Sequence, residues 1–239
     1  MNAGLENCWA FVNAQAAPGE RTGAKTQGAG ARAVTISREA GCGALVVAEK
    51  LASYLQKNSS KDPVPWTVFD RNLMDRVLED HYLPTYLSKF LPEDRVSRAE
   101  DFITDLLGSQ PPLWKVVRQS VETILNLAEL GRVIIIGRGS SVITSQLPRV
   151  LHVRLVAPLE NRVEHAYEAY GMTKAAARKF CRREDRGRAR YMKKYFRTDV
   201  TDPMNYHMVI NTGLVGYDEA ARLIGEAALN LRAVSKLES

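Results

Sequence analysis

From residue 33 onward the apolar positions follow two alternating rhythms. Short continuous runs, AVTIS (33–37), WTVFD (66–70), VIIIG (133–137), VLHVRLVA (150–157) and YHMVIN (206–211), have the length of buried strands. Between them apolar residues return every three or four positions. The stripes are Ala44, Val47, Ala48, Leu51, Ala52 and Leu55; Leu73 and Val77; Val117, Val121, Ile124, Leu125 and Ala128; Val163, Ala166, Tyr167 and Tyr170; and Ala220, Leu223, Ile224, Ala227 and Leu231. Each marks one face of a helix, and Gly131 and Gly171 stand where two of them stop. Continuous apolar strands separated by helices predict an α/β fold with a five-stranded parallel sheet and helices on both faces, because crossover helices bury both sides. Ligands of such sheets sit at the carboxyl ends of the strands. Those ends are Ser37-Arg38, Asp70-Arg71, Gly137-Arg138 and Asn211-Thr212, which makes Arg38, Asp70, Arg71 and Arg138 candidate contacts.

The remaining segments break these rhythms. Residues 16–32 are rich in Gly and Ala and read as a flexible linker, so residues 1–32 form an extension and 33–239 the domain. Within the extension, LENCWAFV either docks as a short helix through Leu5, Trp9 and Val12 or is disordered. Residues 82–112 carry four prolines among scattered charges and read as a mobile insertion. A chain of 239 residues, 45% hydrophobic and 25% charged, suits a single domain. No run approaches the about 18 apolar residues of a membrane helix, and the order of a secretory signal is missing, which places the chain by default in the cytoplasm. Cys8, Cys42 and Cys181 have neither the number nor the spacing of a disulfide framework or a zinc site.

Charge narrows the partner. Ten Lys/Arg and two acids lie between Arg178 and Arg197, so this stretch carries +8 in a chain whose net charge is +6, and the rest sums to −2. A concentrated patch on a near-neutral body suits a polyphosphate ligand, whereas a nucleic-acid polymer usually meets a broader basic face. The guanidiniums of 182–190, Arg183 among them, are placed to fold over phosphates and neutralise transition-state charge. The rival reading is a nucleic-acid surface, with Phe180, Tyr191, Tyr195 and Phe196 stacking on bases.

The turn Ser37-Arg38-Glu39-Ala40-Gly41-Cys42-Gly43-Ala44 joins a strand to a helix, where free backbone N–H groups surround an anion. Against the phosphate-loop pattern, Gly43 takes the second glycine, Arg38 the first, Ala44 the lysine and Leu45 the hydroxyl position. A dinucleotide loop competes, since Gly41 and Gly43 fit its first two glycines and Asp70 ends the second strand, but it gives the +8 stretch no task. Cys42, at a helix start near Arg38, is expected to have its thiolate favoured and to react faster than Cys181. The alternative is a small, buried, inert residue.

Taken together, VTISREAGCG, WTVFDRNL, VIIIGRG, HVRLVAPLENRVEH, REDRGRARYMKKYF and YHMVINT, in that order over about residues 33–230, resemble the cytidylate kinase-like family of P-loop kinases. The resemblance implies a P-loop nucleoside monophosphate kinase fold with a helical lid at 173–202, ATP and Mg²⁺ as donor and metal, and phosphoryl transfer to a pyrimidine nucleoside monophosphate such as CMP. It implies that Arg38, Gly41, Cys42, Gly43, Ala44 and Leu45 hold the donor phosphates. Asp70, Arg71, Arg138, Asp185 and Arg188 would meet the acceptor, with Arg188, Asp185 and Arg183 catalytic. The chain departs from the pattern at Ala44 and at Leu45, where the looser family has an arginine. A nucleotide-binding module without turnover is therefore the second reading, and water, Ser37 or Asp70 are the alternatives for a magnesium ligand.

Overall fold

The computed structural model describes residue 11 and residues 32–59, 64–70, 72–73 and 114–231. Five strands form one all-parallel sheet in the order β2-β3-β1-β4-β5. They are β1 (Ala33–Arg38), β2 (Thr67–Phe69), β3 (Val133–Ile136), β4 (Val150–Val156) and β5 (Met208–Asn211). The helices are α1 (Ala44–Asn58), α2 (Trp114–Leu130), the single turn α3 (Ser140–Ile143), α4 (Leu159–Tyr170), α5 (Lys174–Phe196) and α6 (Tyr217–Asn230). The predicted α/β class and strand count hold. The expected linker and insertion, the candidate N-terminal helix through Leu5, Trp9 and Val12, the helix bearing Val77, Cys8 and Arg71 lie outside the described residues.

Strand alternation sorts the core into two layers. Val34, Ile36, Ile134, Ile136, Leu151, Val153, Leu155 and Ile210 face α1 and α6, meeting Val47, Leu51 and Leu55 on one helix and Ala220, Ile224 and Ala228 on the other. Each fully buried Leu or Ile contributes on the order of 2 kcal/mol by leaving water. The opposite face, Ala33, Val133, Ile135 and Val150, packs on the α2 stripe Val121, Ile124, Leu125 and Ala128 and on Met192 and Phe196 from the end of α5. Phe11 joins this layer fully buried, its ring edge-on to Phe69 at 5.8 Å. The extension thus reaches the core at a residue that the sequence reading left out of its anchors.

The second face is not uniformly apolar. β1 and β4 run in register with Thr35 beside His152 and Ser37 beside Arg154. Thr35 Oγ1 and His152 Nδ1 are 2.8 Å apart, and the His152 backbone N–H donates to His207 Nδ1 at 3.0 Å. Tyr206 and His207 precede β5, which starts at Met208 and not at the expected Tyr206, because both side chains are engaged with β4 and β1. Burial, reinforced by the charge of His207, lowers the His152 pKa from 6.5 to about 4.

This shift fixes a pH dependence. The folded state refuses a proton that the unfolded chain accepts, so the contribution is intact above about pH 6.5 and is lost as pH falls toward 4. The loss amounts to on the order of 3 kcal/mol across that window. His152→Gln should flatten the fall in unfolding free energy between pH 6.5 and 4, measured by urea titration; an unchanged slope would show that His152 titrates normally.

Candidate functional site

The loop between β1 and α1 is held by a buried arginine on α4. Arg162, 8% exposed, donates from Nε to the Ala157 carbonyl at 2.9 Å and from Nη1 to the Ala40 carbonyl at 3.2 Å and Asp185 Oδ2 at 2.6 Å. Glu39 Oε2 lies 3.4 Å from Arg162 Nε and accepts the Ala157 N–H at 3.1 Å. The second oxygen of Asp185 accepts the Ala40 N–H at 2.8 Å and lies 3.4 Å from Arg188 Nη1. One guanidinium and two carboxylates therefore tie loop, α4 and α5 together. Removing one partner of such a buried network costs about 3–5 kcal/mol, because the remaining charge is stranded.

The loop's own hollow is filled from within. Gly43 has φ 75°, and a Cβ there would collide with the Tyr217 ring, so glycine is required both by the left-handed backbone and by the close approach of α6. Thr212 Oγ1 donates to the Cys42 carbonyl at 2.9 Å. Burial raises the Cys42 thiol from 9.0 to about 11, against the opposing pull of Arg38 and a hydrogen bond from the Ala44 backbone. The expected activation by the helix start is corrected here: desolvation outweighs the dipole and the arginine, because the sulfur points into the α1 side of the core and not into solvent.

The strand ends and α5 together enclose a cationic cavity. Arg38 from β1, Arg138 following β3, and Arg183, Arg188 and Arg190 from α5 surround about 400 Å³, with Glu184, Gly187 and Tyr191 completing the wall. Five guanidiniums against one carboxylate leave a lining of +4. Helical spacing places 183, 184, 187, 188 and 191 on one face of α5, while Ala177, Cys181, Asp185, Met192 and Phe196 lie on the face turned to α4, the loop and the sheet. Gly137, at φ 83°, lets the Arg38 guanidinium lie across the end of β3, where any Cβ would collide with it. Arg138 itself is left-handed at φ 57°, a conformation that costs a non-glycine residue about 1–2 kcal/mol and aims its side chain into the cavity. A smaller chamber of about 40 Å³ continues inward, lined by Ser37, Gly139, Ser140, Ser141 and Val200, and shares Arg38, Arg138, Arg188 and Tyr191 with the cavity.

Of the sequence candidates, Arg38, Arg138, Arg183 and Arg188 come together in this cavity. Asp185 turns away from it to the loop. Asp70 caps the backbone after β2, its Oδ1 accepting the Leu73 N–H at 2.8 Å. Gly41, Cys42, Gly43, Ala44 and Leu45 form the loop and first turn of α1 and do not line the cavity; Leu45 is 46% exposed. Arg190 was not singled out and Tyr191 was read only as a base-stacking candidate, although their spacing from Arg183 and Gly187 marks the same helical face. Arg162 left no signal beyond a lone charge beside the α4 stripe. Another hollow, about 380 Å³ on the α1–α6 surface, mixes charges of both signs, with Lys50 and Asp218 2.6 Å apart.

The state of Cys42 is directly measurable. With a pKa of about 11, about one thiol in a thousand is ionised at pH 8. Iodoacetamide mapping by mass spectrometry should find Cys42 unlabelled in folded protein over hours and labelled at once in urea. Rapid native labelling would contradict its burial.

Comparison with known proteins bears on the fold and the family. A solved structure of an uncharacterized protein from Eubacterium ventriosum is 21% identical, with a TM-score of 0.63 over 84% of this chain and 98% of that one, and shows the same fold. Another solved structure, TT1252 from Thermus thermophilus, is 18% identical over 85% of this chain and 100% of its own, with a TM-score of 0.44. A curated protein named uronate isomerase, from Corynebacterium glutamicum, is 32% identical over 112 residues, 47% of this chain; the chain spans about a fifth of that protein's length (21%). The model of the cytidylate kinase-like family matches residues 33–214, most of the chain and all of the sheet, α5 and the arginine cavity, and the chain belongs to that family.

Proposed function

We propose that this protein binds nucleotides in the arginine cavity and transfers a phosphoryl group from ATP to a pyrimidine nucleoside monophosphate of the CMP type. The observation that carries the reading is the convergence of five guanidiniums from two strand ends and one helix on a cavity of about 400 Å³. Phosphoryl transfer asks little covalent chemistry of the protein, so positioned positive charge supplies most of what catalysis needs. Arg138, fixed by its backbone at the end of β3, grips the acceptor phosphate. Arg188, anchored through Asp185 to the pinned loop, faces the transferring group, and Arg183 and Arg190 close over the donor phosphates from α5, which acts as the lid. In this reading the phosphates are held by arginine side chains and not by loop amides, since Asp185 already occupies the Ala40 N–H. The same occupancy makes the missing lysine at Ala44 less damaging than the phosphate-loop pattern implies.

The cation is a separate matter. No group of three His, Cys, Asp or Glu side chains suited to a metal occurs among the described residues. Ser37 Oγ faces the Arg154 guanidinium at 3.0 Å, which disfavours a cation there, and one oxygen of Asp70 is engaged as a backbone cap. ATP would supply the phosphoryl group and carry its Mg²⁺ on its own phosphates and water.

A nucleic-acid surface on α5 is the weaker reading, because Phe196 is buried, Tyr191 and Tyr195 pack against the same core layer, and Phe180 packs edge-on to Tyr170. No helix among the described residues is long and apolar enough to cross a membrane. A coupled ADP-release screen of nucleoside monophosphates with ATP and Mg²⁺ tests the proposal. Turnover with CMP or a close relative supports it; nucleotide binding without turnover selects the silent module instead.

The roles separate by mutation. Arg188→Ala should lower kcat by on the order of a hundredfold or more with folding intact, since it removes transition-state charge stabilisation. Arg138→Ala should raise the acceptor KM more than it lowers kcat. A raised donor KM with the acceptor KM unmoved would reverse the assignment.

A further inference from the structure

Two arginines are buried among the described residues, and their surroundings differ in kind. Arg162 has two carboxylates, Asp185 at 2.6 Å and Glu39 at 3.4 Å. Arg154, on β4, is 5% exposed, yet among the described residues no carboxylate lies within 4 Å of it. Its Nη1 donates to Ser37 Oγ at 3.0 Å, and its guanidinium stands 5.8 Å from the centre of the Tyr206 ring. The Asp199 carboxyl, held below its usual range first by hydrogen bonds from Thr201, is near enough to feel the Arg154 charge but makes no direct ion pair with it. A hydroxyl and an aromatic face soften a buried guanidinium but do not neutralise it, and a buried charge without a counterion is strongly disfavoured.

Ser37 connects this charge to the site. Its hydroxyl lies within 3.1 Å of the Tyr206 hydroxyl, which is also 2.9 Å from the Val200 carbonyl. Tyr206 has one proton, and giving it to that carbonyl leaves Ser37 to accept from Arg154 behind while its own proton can turn into the chamber. A hydroxyl that accepts from a cation becomes a better donor toward an anion. The chamber beyond it holds about 40 Å³, room for a few waters or for the tetrahedral group that would displace them. Arg38 and Arg138 form its other walls, so every charge around it favours an anion and repels a metal ion.

We infer that the chamber is an inner oxyanion subsite that takes one phosphoryl group of the bound nucleotide, with Ser37 touching the ligand and Arg154, as a positioning residue, holding the charge behind it. The inference rests on the nucleotide reading above and deepens it by giving Ser37 and Arg154 roles in phosphate binding that the sequence analysis did not give them.

Titration calorimetry with inorganic phosphate at low salt tests it on wild type, Arg154→Met, Arg154→Lys, Ser37→Ala and the double variant Arg183→Ala/Arg190→Ala. Arg154→Met and Ser37→Ala should each weaken phosphate by tenfold or more, and Arg154→Lys should restore affinity to within about threefold of wild type. Arg154→Met should melt no lower than wild type without phosphate, since it removes an uncompensated charge, and should gain less melting temperature from phosphate. Should Arg154→Met not fold, Ser37→Ala carries the test. Unchanged phosphate affinity in folded Arg154→Met, or a loss confined to the Arg183/Arg190 double variant, overturns the subsite. Displacement of phosphate by CMP or ATP identifies the group as the nucleotide's own; simultaneous binding overturns that assignment. If wild type turns over no nucleotide while its phosphate binding depends on Arg154, the phosphotransferase reading fails and the subsite stands. Turnover with Arg154-independent phosphate binding has the opposite meaning.

Discussion

The Arg162 guanidinium, out of water and shared between Glu39, Asp185 and two backbone carbonyls, is the interaction on which the site depends. It lets a loop, a crossover helix and a strongly basic helix meet at the end of the sheet. Without an anionic pin, α5 would bring its positive charge against Arg38 and Arg138 with nothing to hold it there. Asp185 converts that repulsion into a fixed geometry: one oxygen goes to Arg162, the other to the Ala40 amide and toward Arg188. The cationic wall can therefore be rigid before any ligand arrives, which is what electrostatic preorganisation requires.

In the proposed reading, that pin also decides where phosphate charge is met. A glycine loop at a helix start ordinarily offers its amides to an anion. Here one amide holds a carboxylate of the protein itself, the Gly43 backbone is covered by Tyr217, and the thiol of Cys42 is sealed below. The positive charge has moved to side chains at the ends of β1 and β3 and on one face of α5. The positive φ values of Gly137 and Arg138 show the backbone adapted to that arrangement, one making room for Arg38 and the other aiming its own guanidinium.

Much of this was legible in the sequence, and for identifiable reasons. Apolar runs separated by helical stripes gave the parallel sheet because burial on both faces leaves no polar alternation. The +8 stretch pointed to α5 because so much like charge on one helix needs anions to face. What stayed hidden were contacts between residues distant in sequence. Nothing in LENRVEH tells that Arg162 reaches Asp185, and nothing in GCG tells that Tyr217 and Thr212 close over it. Arg154 was visible as a polar residue inside VLHVRLVA, yet only the register with Ser37 gives it meaning. Asp185 was read as a substrate contact from its motif, whereas its carboxylate is aimed by Arg162 toward the loop.

The most direct test of the central claim is a heteronuclear NMR titration with ATP, following the arginine Nε–H signals together with the backbone amides of residues 40–44. Arginine side chains that hold the phosphates should produce large shifts at Arg38, Arg138 and Arg188 while the Ala40 amide stays in place, its bond to Asp185 intact. Large shifts at the loop amides with the arginine signals unmoved would contradict the account and return the phosphates to the loop.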